Sequence, residues 1–221
     1  MDKIMNEVCV FLADGFEEIE GLTVVDLLRR AGIETRTVSI MGQEEIKGAH
    51  GIIVKADSLF ENTDFSEVKM LVLPGGMPGT IHLKEHKGLE ELILKHNEEK
   101  KYLAAICAAP TVFGGMGILK GKILRIPENG DLKIPHMGWN SIDIKEGSRL
   151  FEGIDRQSYM YFVHSYYLKA RNPEDVAATT WYSTDIHAAV EHDNIFACQF
   201  HPEKSSELGL RILKNFADLR L

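Results

Sequence analysis

The stretch Lys101-Tyr102-Leu103-Ala104-Ala105-Ile106-Cys107-Ala108-Ala109-Pro110-Thr111 decides the fold. An apolar run of strand length meets a cysteine set among small residues, and a helix-like segment follows. A nucleophile at such a strand-to-helix turn sits in strained backbone, and Ala105 and Ala109 leave the turn room. The helix N-terminus is expected to lower the thiol pKa and to offer backbone N–H groups to an oxyanion. A buried, inert cysteine fits the same local pattern. The argument for chemistry therefore has to come from the rest of the chain.

Upstream of Cys107 the pattern alternates. Residues 7–12 read as a buried strand, 20–31 as an amphipathic helix closed by Gly32, and 34–40 and 51–56 as two further strands. Residues 69–73 form a strand ending in Pro74-Gly75-Gly76, and 90–100 a charged helix. Strands alternating with helices imply right-handed βαβ units and a mostly parallel sheet. Beyond Gly121 the texture changes. Short strand-like runs at 123–126, 141–144, 160–170, 176–181, 187–191 and 195–200 are punctuated by Gly, Pro, Asn and Asp, which predicts a β-rich, partly antiparallel extension. A helix over 205–219, capped by Ser205, closes the chain. No linker or repeat interrupts residues 1–221, so the reading is one α/β domain whose halves, 1–120 and 121–221, differ in character.

Composition narrows the function. The 221 residues are 44% hydrophobic and 26% charged, an ordinary globular balance, with a net charge of −8. That charge, with no basic run, argues against nucleic acid or an anionic membrane as the main partner. The first residues show no cationic segment followed by a long apolar one, so a cytoplasmic address is expected. Cysteines stand at 9, 107 and 198 with no C-x-x-C, which argues against a disulfide framework or a structural zinc. No metal or cofactor set is read from the sequence. Cys9 lies between Val8 and Val10, and Cys198 alternates with Phe196 and Phe200, so both are expected in the core.

Two further motifs suit the thiol. The glycines of Leu73-Pro74-Gly75-Gly76 let a backbone amide approach a reacting carbonyl, as an oxyanion hole requires. In Phe200-His201-Pro202-Glu203-Lys204-Ser205, His201 and Glu203 are two apart and share one face of extended chain. A carboxylate there fixes the imidazole tautomer while the other ring nitrogen deprotonates a thiol. Glu17, Glu18 and Glu20 cluster at the carboxyl end of the first strand, where α/β proteins place their sites. A carboxyl of this cluster placed near a thiolate would stay protonated and tune its reactivity, while Glu17 and Glu18 read as acids complementing a helix dipole.

Residues 5–122 resemble the DJ-1/PfpI (ThiJ) family, through Leu12-Ala13-Asp14-Gly15-Phe16-Glu17-Glu18-Ile19-Glu20, Asp26-Leu27-Leu28-Arg29-Arg30-Ala31-Gly32, Leu71-Val72-Leu73-Pro74-Gly75-Gly76 and the Cys107 stretch. The resemblance implies that Cys107 is the reactive cysteine and Glu20 its neighbouring acid. Residues 117–221 resemble the glutaminase subunit of imidazole glycerol phosphate synthase, HisH. The carriers are Pro135-His136-Met137-Gly138-Trp139-Asn140, Tyr161-Phe162-Val163-His164-Ser165-Tyr166 and Gln199-Phe200-His201-Pro202-Glu203-Lys204-Ser205. This second likeness implies a Cys107–His201–Glu203 triad, a substrate-side role for His164, and a loop at Pro135 to Asn140 near a cyclase subunit. Thr111 stands where that family's elbow carries glutamine.

Both families share the flavodoxin-like three-layer core of class I glutamine amidotransferases. The economical explanation of two halves with different likenesses is a chimera, engineered or recombinant, joined near Gly117. Three functions follow. The first is a glutaminase-type thiol hydrolase acting on a glutamine-like amide, with backbone amides at Gly75, Gly76 and Ala108 around the oxyanion. The second is a DJ-1-like redox-sensitive cysteine acting on aldehydes or glycation adducts, in a family that tends to homodimers. The third is a folded but catalytically silent chimera.

Overall fold

The computed structural model describes residues 7–118, 120–130 and 132–219. The chain divides into two compact units, residues 1–118 and 119–221. In the first, β1 (Glu7–Leu12), α1 (Glu18–Arg30), β2 (Thr35–Ser39), the short β3 (Glu45–Lys47), β4 (Ile53–Lys55) and β5 (Ser58–Leu59) precede β6 (Val68–Leu73). Then come α2 (Gly79–Glu85), α3 (Lys87–Glu98), β7 (Tyr102–Ala105) and α4 (Pro110–Gly115). The main sheet runs β5-β2-β1-β6-β7, and every pair in it is parallel.

The period of two along β1 builds the layers. Cys9, Phe11 and Ala13 face a cluster with Leu83, Leu89, Ile93 and Val112 from α2, α3 and α4. Val8, Val10 and Leu12 face the other way, onto Val25 and the half-buried Leu22 and Leu28 of α1. Helices on both faces of a parallel sheet make this a flavodoxin-like α/β fold. Fully burying a side chain such as Phe11 contributes roughly 1.5–3 kcal/mol. The sequence reading missed α2, which is only seven residues long, and β3, three residues with both ends exposed, whereas β4 falls within the strand expected over 51–56.

The second unit is antiparallel. It comprises β8 (Gly121–Arg125), β9 (His136–Ile144), β10 (Gln157–His164), β11 (Tyr166–Ala170), β12 (Val176–Tyr182), β13 (Thr184–His192), β14 (Ile195–Cys198) and α5 (Ser206–Asp218). One sheet runs β10-β9-β12-β13-β14 and β11 pairs with β8. Ile142, Met160, Phe162, Ala178, Ala188 and Phe200 line the buried face, with Ile212 of α5 packed on it. Three expectations change here. The single run expected over 160–170 is two strands parted at Ser165. The loop expected at residues 135–140 is mostly strand, because alternating burial continues back to His136. Cys198, expected in the core, is exposed at the end of β14, whereas Cys9 is buried.

Candidate functional site

The elbow forms as its sequence implies. The Ile106 N–H donates to Leu73 O (3.0 Å), extending the β6–β7 ladder one step beyond β7. Cys107 then takes φ 56°, a left-handed conformation that costs a non-glycine residue strain. The Ala109 N–H closes the turn onto Ile106 O (3.0 Å) and Pro110 opens α4. Thr111 Oγ1 donates back to Ala108 O (2.6 Å), so its hydroxyl is satisfied locally.

Gly75 explains why the loop after β6 needs glycine. A Cβ there would lie 2.7 Å from Glu20 Oε2, 2.9 Å from the Cys107 Cβ and 3.0 Å from the Ala108 N. Its own N–H donates to Glu20 Oε2 at 2.8 Å. Gly76, at φ 92°, lets the loop close on the start of α1, and the Glu17 N–H meets Gly75 O at 2.9 Å. Glu20, Gly75, Cys107 and Ala108 thus converge at the carboxyl ends of β1, β6 and β7. The sheet's order reverses there, between β1 and β6.

The electrostatics run opposite to the sequence reading. Cys107 remains exposed, yet the protein around its sulfur removes enough water to push the thiol pKa up to about 11. The Glu20 charge and its hydrogen bond add to that rise, and the Ala108 N–H opposes it. The lowering expected from the helix N-terminus is present only as the Ala108 N–H, and desolvation with Glu20 outweighs it.

Glu18 does not merely complement the helix dipole. It is buried and holds the turn after β3, accepting from the His50 N–H (2.8 Å) and contacting His50 Nδ1 (2.9 Å). Burial alone would raise its pKa, but these hydrogen bonds bring it down to about 2. A Cβ at Gly48 would lie 2.3 Å from the Glu18 Cδ, so glycine is required beneath the carboxylate. Glu17, Glu18 and His50 place possible metal-ligand atoms within 4.8 Å of one another. Sequence reasoning passed over His50; the glycines flanking Ala49-His50 were the signal that its turn is tightly packed.

In the second unit, the His201 N–H donates to Tyr161 O (2.9 Å) beyond the end of β14, and Pro202–Lys204 turns as a short 3-10 helix. Within that turn His201 Nδ1 lies 2.8 Å from Glu203 Oε1. The pair forms through the turn rather than along extended chain. Since a carboxylate only accepts, Nδ1 carries the proton and Nε2 presents its lone pair. Ser205 precedes α5 as expected but does not cap it. Its hydroxyl donates to His201 O (2.7 Å) and accepts from the Tyr161 N–H (3.0 Å), fixing the turn instead.

His164 lies inside the unit, buried, with Nδ1 2.9 Å from Tyr166 O. Its Nε2 is 3.0 Å from Nδ1 of the buried His136, whose ring stacks on Tyr182 and Phe162. A carbonyl only accepts, so His164 Nδ1 is the donor and its Nε2 accepts from His136. Burial lowers both pKa values, that of His136 to about 4. On the opposite face of β9, Met137 and Trp139 are exposed.

Comparison with known proteins accounts for both units. A family model described as the DJ-1/PfpI family matches residues 6–124. Solved structures include Toxoplasma gondii DJ-1, 34% identical with a TM-score of 0.51 over 53% of this chain and 65% of that one. A DJ-1 superfamily protein from Salmonella typhimurium is 32% identical with a TM-score of 0.51 over 53% and 64%. The chain thus spans just under two thirds of those DJ-1 structures. Among curated proteins, imidazole glycerol phosphate synthase subunit HisH of Chlorobaculum tepidum is 40% identical over 169 residues, 71% of this chain and 84% of its own. The HisH of Methanothermobacter thermautotrophicus is 37% identical over 182 residues, 78% and 87%. Those shares exceed what residues 117–221 supply, so the HisH likeness reaches into the front half as well.

The fold is the flavodoxin-like α/β type, with a parallel sheet followed by an antiparallel one. Within it, the chain belongs to the DJ-1/PfpI family through residues 6–124 and to the HisH family through the sequence it shares with those subunits. No helix among the described residues is long and apolar enough to cross a membrane.

Proposed function

We propose that the chain is a cysteine-dependent amide hydrolase of the glutaminase type, with Cys107 as nucleophile, His201 as base and Glu203 as the residue that orients it. The observation that carries this reading is the 2.8 Å contact of His201 Nδ1 with Glu203, which leaves Nε2 as the basic nitrogen, in a chain related to HisH. On this reading the two units work as one amidotransferase-like domain of composite origin. Nε2 takes the thiol proton and Cys107 attacks the carbonyl of a glutamine-like amide. Backbone N–H groups at Gly76 and Ala108 hold the oxyanion, the imidazolium protonates the amide nitrogen so that ammonia leaves, and a water deprotonated by His201 then hydrolyses the Cys107 thioester to the free acid. A cyclase-type subunit docks on the exposed Met137 and Trp139 of β9. Steady-state ammonia release from glutamine, with and without such a subunit, tests the proposal. Release no greater than that of a Cys107→Ser variant overturns it.

A second reading rests on Glu20, which meets the Gly75 N–H beside Cys107 within a single unit. That arrangement suits a DJ-1-like redox-sensitive thiol. Mass spectrometry after mild peroxide then finds sulfinic acid at Cys107 ahead of the other exposed cysteine, Cys198. Equal oxidation of the two rejects it.

A further inference from the structure

A groove of about 610 Å³ opens on the second unit, away from the His201 turn in sequence and made from β9, β11, β12 and β13. Its walls carry Lys145, Arg156, Lys169, Arg171 and His187, against a single carboxylate, Asp143. In a protein of net charge −8, this is a local reversal of sign. Asp143 holds Arg156 through two contacts of 2.6 and 3.2 Å. Lys169 lies 3.6 Å from Asp185. The Lys145 ammonium donates only to the neutral Glu174 carbonyl at 2.7 Å, and among the described residues no carboxylate pairs with Arg171. Two cations at the groove are therefore without a neutralising acid.

His187 adds a directed donor. Its Nδ1 accepts from the Ala170 N–H at 3.0 Å, so the proton of the neutral ring sits on Nε2. Burial, and then Lys169, hold its pKa below the ordinary histidine value. A neutral N–H donor beside an arginine fork and a lysine point charge is the combination that recognises a phosphoryl group. The volume falls within the roughly 300–1,000 Å³ of small-molecule sites.

We propose that this groove binds a small phosphorylated molecule, its phosphate held by Arg171, Lys145 and His187. Calorimetric titration of the full chain with inorganic pyrophosphate at low ionic strength tests it. The expected result is saturable one-site binding, weakened at least tenfold in a Lys145→Ala/Arg171→Ala double variant and unchanged in Lys55→Ala, an exposed lysine of the other unit. All three lysine and arginine positions are exposed, so the variants keep the core. Unsaturable heats, equal weakening by Lys55→Ala, or tighter binding of citrate than of pyrophosphate would overturn the assignment. A Cys107→Ser variant retains the binding, which separates this groove from the thiol chemistry.

Discussion

At the scale of single residues, desolvation and then Glu20 set how Cys107 behaves. Its carboxylate occupies the Gly75 N–H and, after partial desolvation, is the next cause of a thiol pKa of about 11. Replacing it with glutamine keeps an oxygen for Gly75 and removes the charge. Since a like charge at contact distance shifts a pKa by about one unit or more, the pH profile of Cys107 alkylation by iodoacetamide should move down by roughly that amount in Glu20→Gln. An unmoved profile would mean that desolvation alone sets the thiol. The elbow at Cys107 was legible in the sequence because the strand, the cysteine and the small residues around it stand together, whereas Glu20 beside it followed only from the resemblance to the DJ-1/PfpI family. The direction of the pKa shift was not, since it depends on how the packed chain desolvates the sulfur and on a carboxylate far away in sequence.

At the scale of elements, the turn that presents His201 depends on α5. Gly209 lies in that helix where a Cβ would come 1.8 Å from Pro202 O, inside the His-Pro-Glu turn. Alanine in a helix is intrinsically better than glycine by about 1 kcal/mol. Overpacking of this kind costs about 1–3 kcal/mol, and here the obstacle is backbone, which yields least. Gly209→Ala should therefore lower the urea midpoint of the second unit and disturb the His201–Glu203 contact. A midpoint equal to or above wild type would show that the helix shifts freely. Long amphipathic helices such as α1 and α5 were readable from their periodicity, and the parallel order followed from the alternation of strand and helix. The β9 strand was not readable in full. Its Met137, Gly138 and Trp139 look like loop residues until β10 pairs with them and buries His136 and Phe162 on one face.

At the scale of the whole molecule, the desolvated histidines divide the chain in acid. The buried His136 and His164 and the half-buried His187 lie in the second unit, and desolvation depresses the pKa of each. The first unit has one comparable group, His96, whose ring nitrogens find no well-formed hydrogen bond and whose pKa burial and Lys101 depress. Because the folded values lie below the unfolded value of 6.5, the unfolded chain binds more protons below that pH. The stability these neutral rings allow is intact above 6.5. It falls as pH drops, for His136 until about pH 4. His50 acts in the opposite sense: its hydrogen bond to Glu18 raises its pKa, so its contribution is present below 6.5 and is lost as pH rises through the raised value. Among these histidines the first unit thus sets one gain against one loss, while the second has three losses; the carboxylates whose pKa is lowered, Glu18 among them, lose their contribution only at the acid end, below the ordinary carboxylate value of 4.5. Both tryptophans, Trp139 and Trp181, belong to the second unit, whereas α1, α2, α3 and α4 belong to the first and only α5 to the second. On titration from pH 7 to pH 4, the near-UV ellipticity, to which the fixed edge-on contact of Trp139 with Tyr161 contributes, should be lost before the 222 nm ellipticity falls. Coincident transitions would show that the two units unfold as one cooperative body, and His136→Phe should then move both curves together.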